Sequence, residues 1–294
     1  PIKSSAASDV YKRQMMTEVI DKANISYIKW DMNRCMTEVY SSCHDSESQG
    51  RVMHEYILGV YQLYELLTSR FPEILFESCA SGGARFDPGM MYYAPQCWTS
   101  DDTDALERLK IQYGTSMVYP VSSLGAHVSA APNHQLLRNT PIETRANVAY
   151  FGTFGYELDL NKLSMDEQIK VKEQITFMKD YREIIQFGTF YRLKSPFEGN
   201  ETVWMVVSQD QNTAIIGYYR TLQEVNVGYR RVKLLGLDPD KEYHVNLNNT
   251  VHYGDELMNL GLITTDSSCG ENKEKYDGTN GDYLSRIYVL KAKI

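Results

Sequence analysis

The order of short apolar runs and amphipathic helical patterns is the feature of this sequence that most constrains its fold. From residue 15 to about residue 160 the two alternate, and each apolar run has the length of one buried strand. This alternation is typical of βα units that build a parallel sheet. After Tyr191 the sequence changes to short alternating runs between turn residues, which predicts an antiparallel β domain.

The same patterns predict the individual elements. Ser164 and Glu167 form an S-x-x-E capping box, which predicts the start of a long helix that reaches about residue 185. The other predicted helices cover residues 53–67, 105–113 and 142–150. The predicted strands cover residues 26–30, 74–76, 92–98, 118–120, 126–129, 155–160, 203–207, 213–219, 230–235 and 285–290.

Charge and cysteine content exclude several classes of partner. The formal net charge is −8 and no run of Lys or Arg occurs, so we expect a small neutral ligand and neither a nucleic acid nor a membrane. The five cysteines are scattered without CxxC spacing, which predicts neither a disulfide framework nor a zinc site and favours the reducing cytoplasm. No apolar stretch approaches the roughly 18 residues of a membrane span.

Residues 4–14 read SSAASDVYKRQ, which matches the translation of a transposon adaptor used to prepare sequencing libraries. We interpret this segment as a non-native tail and expect the native sequence to start near Met15. On this interpretation the chain is a fragment of a longer protein, and the fold is to be read from residue 15 onward.

The first chemistry-bearing string is YIKWDMNR, which begins at Tyr27 and carries Asp31 at the end of a predicted strand. In a βα fold the strand ends support catalytic side chains, because the loops converge there. Lys29 and Asp31 point to the same side by strand alternation, so the ammonium is expected to lower the pKa of Asp31 and keep the carboxylate ionised. A helix N-cap or a salt bridge is the alternative role for Asp31.

The second string is WTSDDTD, which begins at Trp98 and places Asp101, Asp102 and Asp104 in the loop after a predicted strand. Crowded carboxylates cannot all stay charged without an energetic cost, so at least one is expected to have a raised pKa, as a general acid requires. A helix cap and a calcium site are equal alternatives, although the Gly and the later Glu of an EF-hand are missing.

The third string is ESCASGGARFD, which covers residues 77–87. The pair Gly82 and Gly83 allows the backbone to approach a ligand closely, and Arg85 can pair with Asp87 or hold the loop. Cys79 has no His partner in the local sequence, so we expect a small buried residue at a strand end and not a nucleophile.

Taken in this order, the three strings resemble the signature segments of the α-galactosidases of glycoside hydrolase family 36. The resemblance runs from about Ala23 to the C-terminus and is carried by KWDMNR, ESCASGGARFD and WTSDDTDA. It implies that Asp31 is the catalytic nucleophile and that Asp101 is the acid/base. It further implies that the galactose is held by Lys29, Trp30, Met32, Asn33, Cys79, Gly82 and Trp98.

The resemblance also implies an α/β architecture. After the tail at residues 1–14, we expect a partial (β/α)8 TIM barrel that lacks its first strands over residues 15–187. We expect a C-terminal antiparallel β-sandwich domain over residues 188–294. The family releases terminal α-linked galactose with retention of configuration from oligosaccharides such as raffinose or melibiose, and it needs neither a metal nor a cofactor. The parent enzyme is expected to be a homo-oligomer, and the fragment to have little turnover.

Three other functions remain open. On the same scaffold these are an α-N-acetylgalactosaminidase and a raffinose-synthase-like galactosyl transferase; from a different class, the chain could be a non-catalytic sugar-binding fragment. His127 and His134 lie near a predicted strand end. We expect both to be structural, because retaining chemistry already has its two carboxylates.

Overall fold

A computed structural model of the chain describes residues 3–33, 37–225, 230–247, 249–264 and 281–293, with side chains from residue 13 onward. Helices, short parallel strands and a C-terminal antiparallel sheet are present, so the predicted mixture of α and β structure is confirmed. The chain divides into two compact units, Pro1–Asp101 and Asp102–Ile294. Within the described ranges, no helix has the length and apolar character that crossing a lipid bilayer requires.

The first unit contains a parallel sheet of three strands and the helices that connect them. In chain order its elements are α1 (Lys3–Lys22), β1 (Tyr27–Trp30), a 3-10 turn (Gln49–Arg51), α2 (Val52–Arg70), β2 (Leu75–Ser78), α3 (Pro88–Tyr93) and β3 (Gln96–Cys97). Strand β2 lies in the middle and pairs in parallel with both β1 and β3. Helix α2 ends just before Pro72, because proline lacks the N–H that continues a helix.

One face of this sheet is covered by α2. Leu63, Tyr64 and Leu67 form the buried stripe of the helix, and the Tyr64 ring lies 4.5 Å from the Trp30 ring and 5.8 Å from the Phe76 ring between centroids. Aromatic pairs at this spacing stabilise a core beyond the area that they bury. Because side chains alternate along a strand, the neighbours of Trp30 in the sequence point to the opposite face of the sheet.

The second unit begins with further βα structure. Its first elements are α4 (Ala105–Ser116), a 3-10 turn (Val121–Ser123), β4 (Gly125–Ser129), α5 (Ile142–Ala149), β5 (Thr153–Glu157), a second 3-10 turn (Leu160–Lys162) and α6 (Met165–Phe187). Strands β4 and β5 pair in parallel. The predicted capping box is confirmed at the start of α6, where the Ser164 hydroxyl accepts from the Glu167 N–H and the Glu167 carboxylate accepts from the Ser164 N–H.

The antiparallel sheet that follows has six strands in the order β11-β10-β13-β8-β7-β6. Its strands are β6 (Thr189–Lys194), β7 (Glu201–Val207), β8 (Thr213–Arg220), β10 (Glu242–Val245), β11 (Thr250–Tyr253) and β13 (Leu284–Ala292). A separate pair joins β9 (Arg231–Val232) to β12 (Leu262–Ile263), and α7 covers Gly254–Asn259. Alternate residues of β7 enter two different cores, with Trp204 facing one and Met205 facing the other.

Four predicted strands differ from the structure. The strand predicted at residues 155–160 is Thr153–Glu157, and a 3-10 turn begins at Leu160. The strand predicted at residues 92–98 begins inside α3, and only Gln96–Cys97 is a strand. The helix forms because the Asp87 side chain caps it, accepting from the Met90 N–H at 2.9 Å, and because Pro88 occupies its first turn. Residues 118–120 form a turn before the Val121–Ser123 3-10 helix. The predicted strand at residues 230–235 is reduced to Arg231–Val232.

Candidate active site

Asp31 lies directly after β1 and is exposed. Its Oδ1 accepts from the Met32 backbone N–H at 2.8 Å, and the carboxylate also accepts from the Cys79 thiol, the Asn33 side chain and the Ser81 backbone. Desolvation acts to raise the pKa of Asp31, but these hydrogen bonds outweigh it and hold the pKa below its ordinary value. The carboxylate is therefore ionised at neutral pH, as a nucleophile must be.

The sequence predicts that Lys29 lowers the pKa of Asp31, and the structure shows a different arrangement. Lys29 Nζ lies 3.7 Å from Glu77 Oε1 on β2 and 4.9 Å from the centroid of the Trp98 ring. Lys29 and Asp31 do share a face of the sheet by alternation, but the main contributions that lower the pKa of Asp31 are hydrogen bonds. The ammonium is instead held between a buried carboxylate and an indole.

Cys79 follows β2 and is buried at the position where its thiol reaches Asp31. Desolvation raises the pKa of Cys79 to about 11, and the neighbouring Asp31 charge adds to the effect. The sulfur therefore stays a thiol at neutral pH and donates a hydrogen bond. It is a buried residue beside the strand end, and it carries no thiolate that could attack a substrate.

The segment of residues 79–85, here called the 79–85 loop, joins the ends of all three strands. The Cys79 N–H donates to the Trp30 carbonyl at 3.0 Å, and the Met32 N–H donates to the Cys79 carbonyl at 3.1 Å. The Arg85 guanidinium is buried and donates to the carbonyls of Trp30 at 3.2 Å and Cys79 at 2.8 Å. Of the two roles considered for Arg85, holding the loop is the one that the structure supports.

Gly82 and Gly83 bring the 79–85 loop against the strand end that carries Asp101. A Cβ atom on Gly82 would lie 2.7 Å from Ser100 Cα and 3.1 Å from Asp101 N, and one on Gly83 would lie 2.9 Å from Thr99 O. Gly82 also has a φ of +83°, which side chains disfavour. Only glycine fits this contact, and the loop that hydrogen-bonds Asp31 consequently touches the backbone of Asp101.

The three carboxylates of the second string have different surroundings. Asp101 is exposed. Asp102 accepts from the Asp104 N–H at 3.0 Å. Asp104 is buried, accepts from the first N–H groups of α4 and forms an ion pair with Arg138, so the cap is the role that the structure supports for this residue. In the part of the chain that the structure describes, no group of three or more His, Cys, Asp or Glu residues is arranged to hold a metal ion.

Seven of the expected site residues lie around the strand ends, whereas Trp30 and Met32 contribute backbone hydrogen bonds there and direct their side chains elsewhere. Asp31, Asn33, Cys79, Gly82 and Asp101 are linked by the contacts above, and Lys29 and Trp98 contact each other beside Glu77 in the same sheet. Trp30 instead packs on Tyr64 in the core, and the Met32 sulfur accepts from the Tyr56 hydroxyl of α2 at 3.2 Å. Sequence reasoning did not single out Glu77 or Ser81; a charged residue inside an apolar strand was the available signal for Glu77.

His127 of β4 lies beside Glu157 of β5, with Nδ1 3.3 Å from Oε2. The two strands are parallel neighbours, and the ring lies across Gly155, where a Cβ atom would be 3.0 Å from His127 Cδ2. This pairing gives His127 a packing contact and a charged partner. A structural role for His127 stays a prediction.

Comparisons with known proteins cover nearly the whole chain. The melibiase family model matches residues 3–188, and the model of the glycosyl hydrolase family 36 C-terminal domain matches residues 201–290. The first match begins well before residue 23, so the similarity extends further towards the N-terminus than the motifs indicated and includes residues 4–14.

Among curated proteins, α-galactosidase AgaA of Geobacillus stearothermophilus is 50% identical over 282 residues, which are 96% of this chain and 37% of that protein. α-Galactosidase Mel36A of Lactobacillus acidophilus is 45% identical over 280 residues, or 95% and 36% of the two chains. The crystal structure of the Lactobacillus brevis α-galactosidase superposes with a TM-score of 0.91 at 49% identity, covering 97% of this chain and 38% of that one. The chain thus spans less than two fifths of the length of these relatives.

Proposed function

The chain belongs to the melibiase family of glycosyl hydrolases, and we propose that it supplies the two catalytic carboxylates of a retaining α-galactosidase. In this proposal Asp31 attacks the sugar and Asp101 is the acid/base. The proposal rests mainly on the contacts of the 79–85 loop. This loop hydrogen-bonds the Asp31 carboxylate through Cys79 and Ser81, and it packs through Gly82 on the backbone of Asp101.

The proposed reaction has two displacements at the anomeric carbon. In the first, an oxygen of ionised Asp31 bonds to C1 while the glycosidic C–O bond breaks, and protonated Asp101 gives its proton to the departing oxygen. In the second, Asp101 takes a proton from water, the water oxygen bonds to C1, and the ester bond to Asp31 breaks. Galactose leaves with its α configuration, and both carboxyl groups return to their starting states.

We propose that the 79–85 loop sets the spacing of the two carboxylates, which distinguishes double from single displacement. Retaining enzymes hold their carboxyl groups about 5–5.5 Å apart, whereas inverting enzymes leave room for a water between them. Gly82 and Gly83 let the 79–85 loop pack without a gap on residues 99–101. A side chain at either position would push the loop away from the strand end that carries Asp101, so we propose that the two glycines favour the shorter, retaining spacing.

The expected architecture is proposed on the same basis. Parallel pairing of β1-β2-β3, and separately of β4-β5, with helices between the strands, supports a partial (β/α)8 barrel over residues 15–187. The two family matches, residues 3–188 and 201–290, support a separate C-terminal domain over residues 188–294, and its antiparallel strands support a β-sandwich. A non-native tail at residues 1–14 and a homo-oligomeric parent stay predictions.

The proposed substrates are raffinose-type and melibiose-type oligosaccharides. Crystal structures of substituted AgaA in complex with raffinose and with stachyose support this class, because each covers 97% of this chain at 48–49% identity. We propose that the 294-residue chain alone has little turnover, since it corresponds to only 37% of AgaA. Sugar-binding groups are therefore expected to come from the rest of such an enzyme.

The test uses a chimera in which this chain replaces the matching segment of AgaA, here called the AgaA chimera. We expect it to hydrolyse nitrophenyl α-galactoside and raffinose and, by NMR, to release α-galactose first. Asp31→Ala and Asp101→Ala should each lower kcat by at least about a thousandfold, because each removes one participant in bond making or breaking. Asp45→Asn, at an exposed carboxylate that hydrogen-bonds Ser48, is the matched control. Undiminished cleavage by Asp31→Ala would remove the nucleophile assignment.

A further inference from the structure

Glu77 is a buried carboxylate that the proposed mechanism does not use. It lies on the central strand β2 with 1% of its surface exposed. Its Oε2 accepts from the Tyr27 hydroxyl and from Gln96 Nε2, the latter at 3.0 Å, and its Oε1 lies 3.7 Å from Lys29 Nζ. A buried charge at this place is costly unless a cation and hydrogen-bond donors face it, and both are present.

Strand register explains why these side chains meet. Lys29 of β1 and Gln96 of β3 are both direct neighbours of Glu77 in the parallel sheet, so the three side chains point to the same face. Asp31 continues that face beyond the end of β1. Glu77 is therefore too deep to touch a ligand in the open part of the site, whereas Lys29, with 34% of its side chain exposed, can reach one.

Lys29 has contacts on two sides and is partly exposed. The carboxylate of Glu77 lies at one side and the face of the Trp98 ring, 4.9 Å from Nζ, at another. A lysine side chain has four rotatable bonds and loses much rotamer freedom when it binds a ligand from solution. Holding the ammonium in place before the ligand arrives removes that entropic cost from binding.

We propose that Glu77 is a positioning residue that fixes the Lys29 ammonium over Trp98, so that Lys29 offers its remaining N–H groups to a hydroxyl of the galactose. Glu77 acts through Lys29 and makes no contact with the sugar. This inference rests on the proposed function, because the sugar is the one that Asp31 attacks.

A double-mutant cycle in the AgaA chimera tests this dependence, with Glu77→Gln, Lys29→Met and both together. Glu77→Gln keeps the shape of the side chain and an acceptor for Tyr27 but removes the charge that holds Lys29. We expect it to raise KM for the nitrophenyl α-galactoside about tenfold and to change kcat less than about threefold. In the Lys29→Met background the same substitution should change KM less than about twofold, because the residue through which it acts is gone.

Thermal unfolding of the same variants separates positioning from a structural role. Lys29→Met leaves a buried carboxylate without its facing cation, so its Tm should lie below that of the double variant, in which the charge is also removed. Glu201→Gln is the matched control, since Glu201 is a mostly buried carboxylate with cationic partners in the C-terminal sheet. It should lower Tm and leave KM unchanged.

Two results would overturn the inference. Equal effects of Glu77→Gln on KM with and without Lys29 would show that Glu77 does not act through the lysine. A lowered Tm in Glu77→Gln with an unchanged KM would make its role structural. Failure of the proposed function looks different, because the unsubstituted AgaA chimera would then hydrolyse no α-galactoside although it folds.

Discussion

The thiol of Cys79 donates a hydrogen bond to the carboxylate of Asp31, and the two residues stand at the ends of neighbouring parallel strands. The contact places a weak but desolvated donor on the group that we propose as the nucleophile. A thiol with a pKa of about 11 cannot compete as a base at neutral pH, so its proton remains available to the carboxylate. The pH dependence of hydrolysis by the AgaA chimera should therefore depend on Cys79.

Cys79→Ala is expected to shift the acid limb of the kcat/KM profile of the AgaA chimera to higher pH. Hydrogen bonds hold the pKa of Asp31 below its ordinary value, so losing one raises that pKa, and a larger fraction of Asp31 is protonated and inactive at low pH. Cys79→Ser keeps a donor and should leave the limb in place. A limb that does not move in Cys79→Ala would contradict the assignment of Asp31 as the titrating nucleophile.

Gly83→Ala is expected to lower kcat by about a hundredfold while KM changes little. The new Cβ atom would lie 2.9 Å from the Thr99 carbonyl oxygen, so the 79–85 loop and the strand end of Asp101 must move apart. Displacements of about 1 Å at reacting groups cost that much in rate. Gly50→Ala is the control, because nothing lies within 4 Å of its added Cβ atom. Full activity in Gly83→Ala would show that this packing does not set the spacing of the carboxylates.

Asp104→Ala is expected to destabilise the 294-residue chain by about 2–3 kcal/mol in urea unfolding. It removes the N-cap of α4, worth about 1 kcal/mol, and leaves the Arg138 guanidinium without its buried partner. Asp159→Ala removes a comparable cap from an exposed 3-10 turn and should cost less than about 1 kcal/mol. Similar losses for the two variants would argue against a special contribution from the Arg138 pair.

Glu201 makes the stability of the C-terminal sheet depend on pH. Desolvation acts to raise its pKa, but hydrogen bonds from Arg230, Lys194 and Tyr218 outweigh it and lower the pKa from 4.5 to about 2. Because the pKa of Glu201 is lower in the folded than in the unfolded chain, its ionised carboxylate stabilises the fold. This contribution to the free energy of unfolding is complete above about pH 4.5 and is lost as the pH falls towards 2. From the difference between the two pKa values, the contribution of Glu201 to the free energy of unfolding is on the order of 3 kcal/mol at neutral pH.

Glu201→Gln should therefore be less stable than the unsubstituted chain at pH 7 and nearly equal to it at about pH 2. Urea unfolding at several pH values measures this convergence. Asp210→Asn is the control at a fully exposed carboxylate, and it should change the free energy of unfolding little at every pH. A stability difference for Glu201→Gln that persists at pH 2 would point to lost packing instead of lost charge.

Local sequence patterns determined much of what the structure contains. The S-x-x-E pattern at Ser164 placed the start of α6 correctly, because a capping box is formed by residues that are close together in the chain. The apolar run before Asp31 likewise placed β1 and the carboxylate after it. The error at residues 92–98 has a local cause too, since the cap at Asp87 and the proline after it start a helix that the apolar pattern had concealed.

Only the tertiary structure decided which side chains face each other. The sequence placed Lys29 beside Asp31, but the parallel register of β1 and β2 set its ammonium opposite Glu77. The sequence showed two glycines, and the packing of residues 82–83 on residues 99–101 made both of them necessary. Periodicity and capping act within a few residues and can be read along the chain, whereas register and loop packing join distant segments and depend on the whole fold.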